Sequence, residues 1–182
     1  MTVDQHYLNN YFANVWSTSN EPSRLKDTKS GMQLIGKINS GETVIDVGCG
    51  TNPFKGLIPN LVGIDPAFEQ ADIKSTIDNY KTDVKYDVAF CLGSINFGEV
   101  NDIERQIAKV VSWLNPGGRI YWRCNPGRKD HNNTECEQIE FYPWTLQEHA
   151  RLAEMFNFKV IEASWEQNNK RIYAEWVMRP AV

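Results

Sequence analysis

Apolar positions along the chain fall into short continuous runs, and these alternate with stretches whose apolar residues recur at helical spacing. Val44-Ile45-Asp46-Val47, Leu61-Val62-Gly63-Ile64 and Val88-Ala89-Phe90-Cys91-Leu92 are such runs, the pattern of strands covered on both faces as in a parallel sheet. The pattern predicts strands over about 43–47, 61–64, 71–77, 86–92 and 119–124, then a closing hairpin of 159–165 and 171–178. Asn168-Asn169 joins the hairpin, because asparagine tolerates the left-handed backbone of a tight turn. The last strand is then antiparallel to the rest.

Helices are predicted between and before these runs. Ile103, Ile107, Val110, Val111 and Leu114 make one amphipathic face that stops at Asn115-Pro116-Gly117-Gly118. Leu146, His149, Leu152, Ala153 and Phe156 mark another helix over 144–156. Nearer the start, Tyr7, Tyr11 and Val15 recur within a helix over about 4–16, a polar break follows at Ser17-Thr18-Ser19-Asn20, and Pro22 opens a helix over about 23–38 that ends near Gly41. Residues 1–182 read as one domain, with 1–40 as N-terminal helices able to cap a core formed by 41–182.

Composition narrows the class. With 182 residues, 41% hydrophobic and 12% aromatic, the chain is long enough for one three-layer core. Its net charge of −4 argues against nonspecific binding to nucleic acid or anionic membranes. No stretch approaches membrane-spanning length, and Met1-Thr2-Val3-Asp4-Gln5-His6 lacks the basic start and apolar run of a signal peptide. Cys49, Cys91, Cys124 and Cys136 show no metal-ligand spacing, and the first three fall at or near strand ends, where small buried thiols are expected. These readings predict a cytoplasmic protein with no metal.

Two strand ends carry candidate chemistry. Asp46-Val47-Gly48-Cys49-Gly50 places an acid before a glycine turn, and Asp65 ends the next strand. A dinucleotide fingerprint sets its acid roughly 20 residues beyond the glycines, whereas Asp65 follows Gly50 by fifteen, and Asn52 stands where another small residue belongs. Asp46 would repel a pyrophosphate and suits a ligand carrying an ammonium or sulfonium.

These residues resemble the class I S-adenosylmethionine-dependent methyltransferase family, whose first motif is acid, any residue, glycine, any residue, glycine, and whose second is an acid closing the next strand. The resemblance covers about residues 23–182 and includes the Pro-Gly-Gly turn and the closing hairpin. It implies an α/β, three-layer Rossmann-like sandwich with a mostly parallel seven-stranded sheet and an antiparallel last strand. It implies S-adenosylmethionine as cofactor, with Gly48, Cys49 and Gly50 giving close backbone approach, Asp46 holding the amino group and Asp65 the ribose hydroxyls. Asn52, Pro66, Leu92 and Gly93 would line the same site. Asp78 is either an acid contacting the adenine amino group, with Ile77 near the ring, or a solvated loop acid. Only ten residues, 51–60, lie between the first glycine turn and the second strand, leaving room for about one helical turn.

The acceptor is harder to place. Methyl transfer relies on aligning a nucleophile, and needs a base only where the acceptor begins protonated. Asn96 follows the fourth strand and can face an acceptor, while the nucleic-acid base-methylation signature of that family is absent from Gly93-Ser94-Ile95-Asn96-Phe97. Arg128 can pair with an acidic acceptor and His131 can act as a base within the polar 127–143 loop. Tyr7, Tyr11 and Trp16 either close over the cofactor or pack as a helix face; His6 and His149 read as structural. The favoured reading is methyl transfer to a small molecule, with a protein or structured-RNA acceptor, or a noncatalytic binding domain, as alternatives.

Overall fold

The computed structural model describes residues 4–16, 27–128 and 139–181. Six strands form one mixed sheet: β1 (Val44–Val47), β2 (Leu61–Ile64), β3 (Tyr86–Leu92), β4 (Leu114–Cys124), β5 (Phe158–Glu166) and β6 (Arg171–Met178). Their spatial order is β2-β1-β3-β4-β6-β5, with β1 to β4 parallel and β6 antiparallel to both of its neighbours. All of β1 is buried, as is all of β3 except Asp87, which explains their unbroken apolar character.

Each face of the sheet has its own core. On one, Ile45, Val47, Cys91 and Trp122 meet Ile103, Ile107 and Val110 from helix α2 (Val100–Ser112) and Leu152 and Ala153 from helix α3 (Leu146–Met155). The α2 contacts recur at i, i+4 and i+7, one stripe of a helix, and each such burial contributes about 1.5–3 kcal/mol. The start of α2 is fixed by Asp102, whose carboxylate accepts the Glu99 N–H at 2.9 Å. His149 on α3 is fully buried, stacked on Trp144 at 4.5 Å and edge-on to Trp122 and Trp176, which bears out its structural reading. On the other face, Val44, Val88, Phe90 and Tyr121 lie under Leu34, Phe54 and Ile58.

Helix α1 (Gln5–Asn10) begins at Asp4, whose carboxylate accepts the N–H groups of His6 and Tyr7, and it continues as a wider π-helical turn over Tyr11–Trp16. The expected N-terminal helix is therefore present. Leu8 and Tyr11 bury themselves against Ile139 and Phe141, with Tyr7, Phe12 and Phe97 at the margin.

Among the described residues the sheet has six strands and not seven. Over 71–77 only Ile73 reaches β2, as an isolated bridge to Ile64. Asp72 gives the reason: its side-chain oxygen accepts the Gly63 N–H at 2.8 Å, a bond that a neighbouring strand would otherwise make through its backbone. The helix expected over 23–38 is, within the described residues, a 3₁₀ helix at Met32–Lys37, which starts after Gly31 and contains Gly36; glycine weakens a helix interior. Strand β4 starts at Leu114, earlier than its apolar run, through an irregular register between Tyr86 and Val88. The hairpin turn is longer than the Asn168-Asn169 pair, since Gln167, Asn168 and Asn169 all adopt positive φ. The short 51–60 connector holds isolated turns and no helix: the Lys55 N–H donates to Asn52 O at 3.1 Å, and Phe54 O accepts the N–H groups of Leu57 and Ile58 at 3.0 and 3.1 Å. Ser17-Asn20, Pro22, His131 and Cys136 lie outside the described residues.

Candidate functional site

The parallel strands β1, β2 and β3 end side by side, and their following loops meet. Asp46 is fully buried and pairs in register with Gly63 of β2 and Phe90 of β3. Beyond it the chain reverses through Gly48 (φ 71°) and Gly50 (φ 58°), a left-handed conformation that glycine adopts without steric penalty. A Cβ on Gly48 would lie 2.5 Å from the Ser94 Cβ, so the glycine turn and the loop after β3 are in direct contact.

The turn is folded onto the end of β2. The N–H groups of Gly48 and Cys49 both donate to Ile64 O, at 2.8 and 3.0 Å, and the Gly50 N–H donates to Asp65 Oδ2 at 2.9 Å. Three successive donors are thus engaged within the protein. A phosphate cradle needs such donors open, so this turn is not arranged for a pyrophosphate. Asp65 Oδ1 accepts the N–H groups of Ala67 and Phe68, at 2.8 and 3.3 Å, which shapes the loop through Pro66. A carboxylate has about four acceptor positions, and these three bonds leave one, on Oδ2, at a residue only 7% exposed.

The remaining expected cofactor residues divide. Leu92 is buried at the end of β3, and Gly93 follows with φ 105°. An added Cβ on Gly93 would meet nothing within 4 Å except Asn96 Nδ2 at 3.8 Å, which marks open space at this strand end. Cys49 is buried below the turn. Asn52 adopts φ 61° and donates through Nδ2 to Gln70 O and Asp72 Oδ2, at 3.1 and 3.2 Å, so it ties the connector to the 70–72 segment. Ile77 packs on the core. Asp78 is half exposed and makes a two-pronged ion pair with Arg105 of α2 at 3.0 and 3.2 Å, which occupies both of its oxygens.

Titration properties separate the buried thiols from the acids near these strand ends. Burial and the nearby Asp46 charge push the Cys91 thiol up, and burial and Cys91 raise that of Cys124. Both therefore stay protonated at neutral pH and behave as core side chains. Burial opposes ionisation of Asp72, yet hydrogen bonds from Gly63, Lys55 and Asn52 hold its carboxyl below the usual range.

Sequence reasoning did not single out Gly63, Ser94, Asp72 or Asn125. A Cβ on Gly63 would fall 2.5 Å from Asn52 Oδ1 and 2.8 Å from Cys49 Sγ, so the position must be glycine for β2 to pass this close to the turn. A glycine inside a predicted strand was the available signal. Asn96 and Asn125 are both buried, and Asn96 Oδ1 accepts the Asn125 N–H at 3.2 Å. Arg128 is exposed, and its carbonyl accepts the Phe141 N–H at 2.8 Å.

No model of a known protein family matches the sequence, and no curated protein matches it. Solved structures do match along nearly the whole chain. N-methyltransferase NodS from Bradyrhizobium japonicum, in complex with S-adenosylhomocysteine, superposes with a TM-score of 0.64 at 16% identity, over 95% of this chain and 97% of that one. The chain has the fold of S-adenosylmethionine-dependent methyltransferases. Magnesium protoporphyrin IX methyltransferase from Synechocystis with bound S-adenosylmethionine gives 0.67 at 13% identity, over 96% of each chain. A 1,6-didemethyltoxoflavin-N1-methyltransferase from Burkholderia thailandensis, with its namesake compound and S-adenosylhomocysteine bound, gives 0.67 at 13% identity, over 98% of this chain and 92% of that one. Among the described residues of this methyltransferase fold, no helix is long and apolar enough to cross a membrane.

Proposed function

We propose that this chain transfers a methyl group from S-adenosylmethionine to a small-molecule acceptor in the cytoplasm. The observation that carries the reading is the Asp46–Gly50 turn, closed by its own N–H groups onto β2 and bordered by the Asp65 carboxylate. A site with an acid at each strand end and no open anion cradle suits a cationic nucleoside. Asp46 would hold the ammonium group, Asp65 a ribose hydroxyl through its remaining acceptor position, and Gly48, Cys49 and Gly50 would let backbone approach the ligand. Pro66, Ile77, Leu92 and Gly93 would flank it. Asn52 acts from behind, by holding the connector, and Asp78 is assigned to its ion pair with Arg105.

Bound S-adenosylmethionine supplies a methyl group on a sulfonium, which the lone pair of an acceptor takes while the carbon–sulfur electron pair remains on sulfur. The chain's part is to align the acceptor and exclude water, with Asn96 at the acceptor side and with Arg128, and His131 three residues further along the sequence, as candidate acceptor contacts. Structural neighbours that act on magnesium protoporphyrin IX and on 1,6-didemethyltoxoflavin support a small acceptor.

Calorimetry with S-adenosylmethionine and S-adenosylhomocysteine tests the donor site. Binding is expected, weakened by about 1–3 kcal/mol in Asp65→Ala; no binding of either compound sinks the proposal. Labelled methyl donor, offered with metabolite pools, protein and RNA, then tests the acceptor. Label confined to protein or RNA identifies a macromolecular substrate, and tight donor binding with no transfer to any fraction identifies a noncatalytic domain.

A further inference from the structure

The end of β3 opens onto a second set of groups that the donor site does not use. Asn125, just past β4, is 4% exposed, and its backbone is fully held: its N–H donates to Asn96 Oδ1 and its carbonyl accepts the Trp144 N–H at 3.1 Å. Its side-chain Nδ2 nevertheless has no hydrogen-bond partner, and neither has the buried Ser94 Oγ. A buried amide without partners is destabilising, a penalty that a ligand offering an acceptor atom relieves. Asn96 also accepts the Tyr142 N–H through its carbonyl at 2.6 Å, so the loops after β3 and β4 and the 141–144 segment are locked together around these amides.

An aromatic wall adjoins them. Phe97 follows Asn96 directly, and its ring lies 5.2 Å from Phe141 and 5.6 Å from Phe12 of the N-terminal helical segment, while Phe97 and Phe12 keep part of their surface uncovered. Open space at Gly93 lies on the Asn96 side of the same junction. Ser94, Asn96 and Asn125 are all uncharged and Arg128, beyond β4, is exposed, so an ammonium or carboxylate seated on these three groups would lose its hydration without a buried paired charge. Among the described residues at this junction there is also no group to take a proton from an ammonium. A flat ring, by contrast, stacks on the wall and keeps its lone pairs free near neutral pH.

We propose that the acceptor is a neutral, flat aromatic or heteroaromatic compound, held against Phe97 with a hydrogen-bond-accepting atom on Asn125 Nδ2. This rests on the donor reading above, since the acceptor must lie beside the methyl group. Asn125 is here a specificity-determining residue, and the Phe97 ring sets shape.

Three compounds of matched size separate the parts of the claim: isoquinoline, flat with an accepting nitrogen; naphthalene, flat without one; and decahydroisoquinoline, neither flat nor neutral. Ligand-observed NMR on the protein loaded with S-adenosylhomocysteine should rank isoquinoline first, about three- to tenfold tighter than naphthalene, the worth of one hydrogen bond. Asn125→Leu should erase that ratio, and Phe97→Leu should weaken both flat compounds several-fold. Both variants should still bind S-adenosylhomocysteine as the wild type does, which also shows that they fold. Equal or tighter binding of decahydroisoquinoline, an unchanged ratio in Asn125→Leu, or no binding of isoquinoline to the loaded protein overturns the proposal while leaving the donor site standing. Failure of S-adenosylhomocysteine itself to bind overturns the donor reading, and this one with it.

Discussion

Replacing Gly48 by alanine tests whether contact between the glycine turn and the β3 loop shapes the site. Two separate penalties apply. At φ 71° any residue with a Cβ is strained, by about 1–2 kcal/mol. The new Cβ would also sit 2.5 Å from the Ser94 Cβ, an atom fixed to backbone and unable to swing away, and such overpacking costs about 1–3 kcal/mol. Gly41 supplies the control, because it has φ 81° but nothing within 4 Å of an added Cβ. The strain, and the loss of unfolded-chain entropy on Gly→Ala, are then common to both variants. Urea unfolding should find Gly48→Ala less stable than Gly41→Ala by about 1–3 kcal/mol. Adding Ser94→Gly should restore most of that difference, as a coupling between the two sites. A difference or a coupling within about 0.5 kcal/mol of zero would show that the turn and the loop are not in contact.

Further outcomes follow from single residues. His149 is held neutral, with burial pushing its imidazole down to about 3 from an ordinary 6.5; the folded value lies below the unfolded one, so its contribution is complete above pH 6.5 and is lost as pH falls toward 3. At about 1.4 kcal/mol per unit, the wild type should lose about 2 kcal/mol more than His149→Phe between pH 6.5 and 5, and parallel stability profiles would refute this. Hydrogen bonds from Arg119, at 2.7 and 2.9 Å, hold the Glu42 carboxyl down to about 2; an NMR titration should place it there and should find it back toward 4.5 in Arg119→Met. Asp72→Ala should strip the side-chain partner from the Gly63 N–H and one of the two partners from Asn52 Nδ2, destabilising by about 1–3 kcal/mol, with amide exchange accelerated at Gly63 first; unchanged exchange there would argue against the side-chain substitute for a strand.

Legibility in the sequence tracked how local the cause was. The runs at 44–47, 61–64 and 88–92 and the 103–110 stripe each carry their own periodicity, so strands and α2 could be read directly. Residues 71–77 alternate with the period of a half-buried strand, yet no strand forms, because Asp72 bonds to β2 through its side chain and not its backbone. Nothing local distinguishes those outcomes. The turn at 46–50 and Asp65 were legible because glycine and acid at strand ends are rare enough to stand out. Asn125 was not, since its significance lies in being left unpartnered by residues from 94–97 and 141–144, far away in the chain.

The two departures from a full sheet have one physical origin, and it bears on why the site survives them. A parallel crossover normally brings a helix across the sheet to set the next strand, but here the thirteen residues 48–60 connect β1 to β2 through isolated turns, with no helix among them. Asp72 supplies the missing constraint: it bonds Gly63 N–H, Asn52 Nδ2 and Lys55 Nζ, the last at 2.8 Å, and so ties the first half of the connector and β2 itself to the segment beyond β2. A carboxylate used this way takes the place of a backbone acceptor on the edge of β2 and leaves only the Ile73 bridge there, so the absent strand and the shortened crossover are one arrangement. The turn at Gly48–Gly50 is closed onto Ile64 at the end of β2 and onto Asp65 just after it, bonds that do not depend on a crossover helix. Trimming this edge of the fold therefore leaves the geometry at the strand ends intact, provided Asp72 stays ionised and Gly63 stays bare.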